Sequence, residues 1–278
     1  MINLSATNRC KLFEEIANSI WTHIIHNQRV SVNVSEIGIT MDIIASIRTH
    51  STSIPNFGVW ANPGYNENVF GSDIDVFVET KMGQYIWYAL QAKVLAKSGR
   101  YRDIKTKRAG EYQWKKLDRL SAVSGCISKY LFYNGVSNYH HFGFDTCNRS
   151  FDEKQFGCSI VDTNTVENIC LSKSGNPKFL DFHPVVAQPW RVIVCCMNNL
   201  KKVTLFSSAQ VKSALSDYYP LYEDTTFLVQ ASEGVQPIND FPVEAITTFS
   251  ELAKWTPVYR VIIRTTKGRN LDKRAVKK

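Results

Sequence analysis

The sequence predicts an α/β domain: a mixed sheet with an antiparallel hairpin at its centre, flanked by helices. Three observations predict it. Apolar residues recur at helical spacing twice within the first fifty positions. A strictly alternating run, Asp73 to Val78, is followed by a turn and a second apolar run. A further helical pattern and a further short strand pattern then follow in that order.

From Asn8, a plausible N-cap, Leu12, Ile16, Ile20 and Ile24 recur four apart, with Phe13, Ala17 and Trp21 beside them. A second helix is expected after Ser35, with Ile39, Ile43, Ile44 and Ile47 on one side. Pro55, Pro63 and Gly64 then break the chain into a loop with one short strand around Phe57 to Trp60. Asp73 to Val78 is rich in β-formers and reads as a strand. Lys81-Met82-Gly83-Gln84 reads as a hairpin turn, and Tyr85 to Ala96 as the antiparallel partner. Tyr112 to Ser124 has helical spacing, and Lys129 to Tyr133 is a short strand closed by Asn134-Gly135.

The second half is less regular. Phe156 to Val161 and Tyr259 to Arg264 read as strands, Val166 to Leu171 and Val203 to Tyr218 as helices, and Trp190 to Met197 as an apolar element. Residues 1–205 are expected to form the core, and 206–278 a C-terminal extension ending in a mobile basic tail. Asp217 to Thr256 carry no readable motif.

Composition narrows the class. The chain has 278 residues, 44% of them hydrophobic and 21% charged, which excludes wholesale disorder. No stretch approaches the roughly 20 apolar residues of a membrane span, and the N-terminus lacks a basic-then-apolar leader pattern, so a soluble cytoplasmic protein is expected. Seven cysteines in neither a zinc nor a CxxC spacing read as reduced, mostly buried thiols. A net charge of +8, from 33 Lys and Arg against 25 Asp and Glu, favours a polyanionic partner.

The chemistry concentrates on the hairpin. Alternation puts Asp73, Asp75 and Phe77 on one face, and Gln91 and Lys93 share a face of the partner strand. A turn near Gly83 brings these polar faces side by side. Polar residues on alternate positions also suit a solvated sheet edge, but a lysine inside YALQAKVLA is costly without an anionic partner or a task. Phosphodiester hydrolysis would supply both: Mg²⁺ or Mn²⁺ polarises the phosphate and acidifies a water, and it accepts one or two carboxylates with other oxygens. Asp73 is then the metal ligand, Gln91 Oε1 an auxiliary ligand, and Lys93 the group beside the attacking water.

An acid at the start of one strand, a hairpin, then Gln91-Ala92-Lys93 on the next resembles the PD-(D/E)xK, or restriction-endonuclease-like, nuclease superfamily. Gly71-Ser72-Asp73 replaces the literal Pro-Asp, and the usual Glu before x-Lys is Gln91, which supplies no charge. Glu67 is the nearest extra carboxylate and Glu36, by the second helix, a remoter one. Much of the chain is also similar to a poorly characterised bacterial family of such nucleases. The matching pieces run in order: Ile39-Thr40, Asn66-Glu67, Gly71-Ser72-Asp73, Gln91 to Leu95, Tyr101, Gln113 and Leu117, Phe132 to Gly135, Gly157-Cys158-Ser159, His183-Pro184 and Pro189-Trp190. The resemblance implies a restriction-endonuclease-like mixed sheet and a metal-dependent nuclease, with DNA favoured over RNA. It further implies a place in anti-phage defence, as a homodimer or with a partner protein.

Other residues weigh in around this motif. Arg100, Arg102, Lys105, Lys107 and Arg108, interleaved with Tyr101 and Tyr112, form a candidate phosphate-tracking loop, and Gln113 a candidate substrate contact. Asp73-x-Asp75 also looks like the strand of polymerase-β-type nucleotidyltransferases, but the upstream Gly-Ser at a helix start is missing. A third reading is a nucleic-acid-binding protein that has lost hydrolysis. His140-His141 have no partner at metal-ligand spacing, Ser159 and His183 form no recognisable triad, and Cys158 reads as a packing residue.

Overall fold

Alternating apolar residues on both faces of a strand demand cover on both sides, and this chain supplies it. A computed structural model describes residues 4–54, 56–64, 70–81, 83–196 and 203–211. Two long helices come first, α1 (Leu4–Arg29) and α2 (Glu36–Ser53). The chain enters the sheet with β1 (Val59–Pro63), β2 (Ile74–Lys81) and β3 (Gln84–Val94). A small hairpin, β4 (Lys107–Arg108) with β5 (Glu111–Tyr112), precedes α3 (Gln113–Ser124) and β6 (Ile127–Tyr133). A second small hairpin, β7 (Phe142–Phe144) with β8 (Ser150–Asp152), leads through a 3₁₀ turn (Glu153–Gly157) to β9 (Cys158–Asp162) and α4 (Thr163–Ser172). The short elements β10 (Gln188–Pro189), α5 (Val192–Cys195) and β11 (Phe206–Ser207) follow.

The main sheet has seven strands in the order β1-β2-β3-β6-β9-β10, with β11 also on β3. β1, β2 and β3 are antiparallel neighbours, β3 and β6 are parallel, and β6, β9 and β10 are again antiparallel. Alternation sorts the side chains into two cores. Ile74, Val76, Val78, Ile86, Tyr88 and Leu90 face Phe13, Ala17, Ile24, Ile43 and Ile47 of α1 and α2. Phe77, Tyr85, Trp87, Ala89 and Phe132 face Trp114, Leu117 and Leu120 of α3 and Val166 and Cys170 of α4. This is a mixed α/β architecture with helices on both faces of a mostly antiparallel sheet.

Several expectations change in detail. Asn8 is no cap: α1 is already helical from Leu4, so Asn8 lies inside it. Ser35 is the cap of α2, its Oγ accepting from Gly38 N at 3.2 Å. Val203 to Tyr218 is not one helix, because Phe206-Ser207 pairs antiparallel with Tyr85 and Gln84 and Phe206 packs its ring against Trp87. The chain divides into two units, Met1–Val235 and Gln236–Lys278, and the second, with the expected strand at Tyr259 to Arg264 and the basic tail, lies outside the described residues. Among the described residues no helix is long and apolar enough to cross a membrane.

The cysteines divide. Cys126, Cys158 and Cys170 are buried free thiols, all pushed up by burial. Cys10 is instead joined to Cys195, and Cys147 to Cys196, across Cα separations of 5.5 and 5.4 Å. Sequence spacing could not reveal pairs 185 and 49 residues apart.

Candidate active site at the β2–β3 edge

Asp73 sits at the entry to β2, where two glycines make room for the chain. A Cβ on Gly71, whose φ is +74°, would lie 2.9 Å from the carbonyl oxygen of Gln113; one on Gly64 would lie 2.0 Å from that of Ser72. Only glycine allows either approach. Asp73 N then donates to Leu90 O at 2.8 Å, and Asp73 O accepts from Gly64 N at 2.8 Å, which fixes the residue against β3.

The carboxylate is half-buried, and Asp73 Oδ2 accepts from Ala92 N at 2.7 Å and from Gln91 Nε2. The amide nitrogen of Gln91, not the oxygen expected of an auxiliary ligand, faces the acid. Gln91 Oε1 is left buried without a hydrogen-bond partner among the described residues, and so is the hydroxyl of Tyr130, directly beside Gln91 on β6. Buried polar atoms are normally satisfied; these two are among seven side-chain atoms of the described residues that are not. Burial pushes the Tyr130 hydroxyl well up, with the charges of Cys170 and Asp73 adding to it.

Lys93 is 4% exposed. Its Nζ lies 3.5 Å from Glu36 Oε1 in the first turn of α2, a position the helix dipole favours for an acid. On the next turn Thr40 Oγ1 bonds the Tyr133 hydroxyl of β6 at 2.9 Å, holding α2 over the strand ends. Asp73 touches Gln91 and Lys93 touches Glu36, both at the end of the sheet where β2 begins and β3 finishes. The remote carboxylate of the sequence, Glu36, is the one found at the lysine; Glu67 lies outside the described residues.

Asp75 has a different setting. It is 0% exposed and accepts from Trp87 Nε1 at 2.8 Å. Gln113, expected to be an exposed helix residue if not a site residue, is buried as the first residue of α3, its backbone against Gly71. The basic loop is exposed at Arg100, Arg102, Lys107 and Arg108. Arg100 Nη1 donates to Asn176 O at 2.7 Å, Lys105 Nζ to Lys173 O at 2.6 Å, and Lys107 Nζ stands 4.9 Å over the Tyr112 ring. These contacts brace the loop through Arg100, Lys105 and Lys107.

Sequence reasoning missed a buried polar chain behind the site. Tyr101 Oη donates to Asn134 Oδ1 at 2.5 Å, and Asn134 Nδ2 donates to Ser159 Oγ at 3.1 Å. Ser159 Oγ and His183 Nε2 lie 2.6 Å apart, while His183 Nδ1 bonds Phe179 O. All four side chains are fully buried, so the Ser–His pair is structural, and burial pushes His183 down to about 3. The signal lay in Tyr101, Phe132 to Gly135, Gly157 to Ser159 and His183, pieces that read separately and meet only in three dimensions.

An acid, an amide and a lysine on adjacent strands, with a second acid from a helix, can hold a hard cation and a water near a phosphate. No curated protein matches the sequence. Residues 9–271 match DUF6615, a family of unknown function, and the chain belongs to that family.

Proposed function

We propose that this chain is a metal-dependent nuclease of the restriction-endonuclease-like class, hydrolysing phosphodiester bonds of nucleic acid, with DNA favoured. The observation that carries the reading is the pair of contacts, Asp73–Gln91 and Lys93–Glu36, at the end of the sheet where β2 begins and β3 finishes. The order α2-β1-β2-β3-α3-β6, antiparallel through β3 and parallel from β3 to β6, supports the same class.

The donor set fits Mg²⁺ or Mn²⁺. Asp73 and Glu36 would supply carboxylate oxygens, while Gln91, whose amide nitrogen faces Asp73, holds that acid in place. When bound, the cation would polarise the phosphate and acidify a water. Lys93, kept in place by Glu36, orients the attacking water and offsets charge building on the phosphate. Asp73, anchored through Oδ2 by Ala92 N, would hold the metal. Arg100, Arg102, Lys105, Lys107 and Arg108 hold the backbone, and Gln113 fixes the entry of the Asp73 strand.

Two alternatives differ in what they require. A nucleotidyltransferase needs Asp75 as a second ligand, and Asp75 is buried against Trp87. An inactive binder is favoured by the missing charge at Gln91. Incubation with supercoiled plasmid and Mg²⁺ decides: nicking abolished by Asp73→Ala and Lys93→Ala supports the nuclease, and binding with no cleavage under Mg²⁺ or Mn²⁺ supports the binder. An intracellular setting and a role in anti-phage defence belong to this proposal.

A further inference from the structure

Between β6 and β9 the chain makes a detour that hydrolysis leaves unused. Among the described residues β7 and β8 pair only with each other. Alternation turns Gly143 inward, where a Cβ would lie 2.6 Å from His141 Nε2 and 3.5 Å from the Phe151 ring. The same alternation turns Phe142 and Phe144 outward. They are 70% and 64% exposed, with ring centroids 5.8 Å apart and planes 82° apart.

The hairpin is braced. At its tip, Asp145 Oδ1 accepts from Cys147 N and Arg149 N, both at 2.9 Å, and Asp145 Oδ2 accepts from Arg191 Nε at 2.9 Å. Cys147 is joined to Cys196, and His141 N donates to Glu153 Oε2 at 3.2 Å. The two rings are therefore held ready rather than collapsed onto the core.

Topology fixes the end of the sheet from which the hairpin leaves. β3 and β6 run parallel, with Val94 opposite Tyr133. Residues 134–157 consequently leave the sheet at the end that carries Lys93, as does the basic loop at 97–108, and Asn134 N to Gly157 O closes the detour at 3.0 Å. Of the nearby acids, Glu14 is paired with Arg149 and Arg191 and Glu153 with His140, while Asp152, opposite Phe142, is exposed and accepts from Lys154 N.

Two phenyl rings offer on the order of 250 Å², well short of the roughly 800 Å² per partner of a stable protein interface. Flat nucleobases need far less area, and aromatic rings bind them face to face when they are unpaired. We infer that the β7–β8 hairpin is a stacking platform for unpaired bases, presenting single-stranded or frayed polynucleotide to the Asp73–Lys93 edge. The inference rests on the nucleic-acid reading above.

The test uses the full chain with Ca²⁺ in place of Mg²⁺, so that binding is read without cleavage. The probes are a fluorescein-labelled single-stranded 30-mer carrying 2-aminopurine, and the blunt duplex of that length. Anisotropy should show Phe142→Ala/Phe144→Ala weakening single-strand binding roughly ten-fold or more and duplex binding less than two-fold. Quenching of 2-aminopurine should be lost with it, and Phe142→Trp/Phe144→Trp should retain both. Unchanged single-strand affinity, an equal loss on both probes, or a change of oligomeric mass in the alanine variant would each overturn the platform. If the wild-type chain binds neither probe, the nucleic-acid reading itself fails, an outcome distinct from binding that ignores the two phenylalanines.

Discussion

Lys93 and Glu36 are 57 residues apart in sequence and 3.5 Å apart in space, one near the end of β3 and the other in the first turn of α2. The contact joins the edge of the sheet to a helix packed on its opposite core, and it gives a nearly buried lysine an acidic partner. Glu36→Gln should keep the fold and lower plasmid nicking by about 100-fold or more, comparable to losing a general acid–base group. Lys93→Ala should fall at least as far. Equal nicking by Glu36→Gln and the wild-type protein would remove Glu36 from the site.

Asp75 tests the division of labour between the two carboxylates of β2. Its buried bond to the Trp87 indole predicts that Asp75→Ala costs stability, about 1–3 kcal/mol for the stranded donor. The urea midpoint should drop, and nicking per folded molecule should hold within a few-fold. A variant of unchanged stability that loses all activity would instead favour a two-carboxylate metal site.

His183 predicts a pH dependence of stability. Its folded value, about 3, lies below the roughly 6.5 of an unfolded histidine. Between those values the unfolded chain binds the extra proton, so the contribution is complete above about pH 6.5 and is lost as pH falls toward 3. The loss by pH 4 amounts to about 3 kcal/mol. Melting temperatures between pH 7 and pH 4 should show a slope that His183→Gln flattens.

Gly71 should tolerate no side chain. Gly71→Ala combines a positive φ with a Cβ 2.9 Å from Gln113 O, and it should cost about 1–3 kcal/mol. Because Asp73 is two residues on, activity should fall even at temperatures where circular dichroism reports a folded protein.

The parts of the fold legible in the sequence are those governed by local periodicity. Asp73 to Val78 alternates strictly, Tyr85 to Ala96 is a nearly continuous apolar run, and their pairing follows from the turn at Gly83. The Ile39, Ile43, Ile44 and Ile47 stripe is buried as its spacing requires. Long-range choices were not legible. Phe206 lies in a helix-like pattern yet becomes a strand because β3 offers it Tyr85 as partner and Trp87 as packing surface. Gln91 could be placed on the strand, but not which end of its amide meets Asp73. Glu36 was readable as an acid near a helix start and not as the partner of Lys93, because no local pattern encodes a separation of 57 residues.

The bond from Trp190 Nε1 to Phe13 O, at 2.8 Å, spans 177 residues. The ring of Phe13 lies 4.1 Å from that of Trp190, Arg191 reaches Glu14, and Cys195 is tied to Cys10. A nascent chain therefore carries α1 out of the ribosome long before Trp190 exists to cover Phe13. Loop closure over such a span is slow and late, so part of the first helix's apolar stripe must wait exposed. That interval is when a chaperone, or a second unfinished copy, would compete for it.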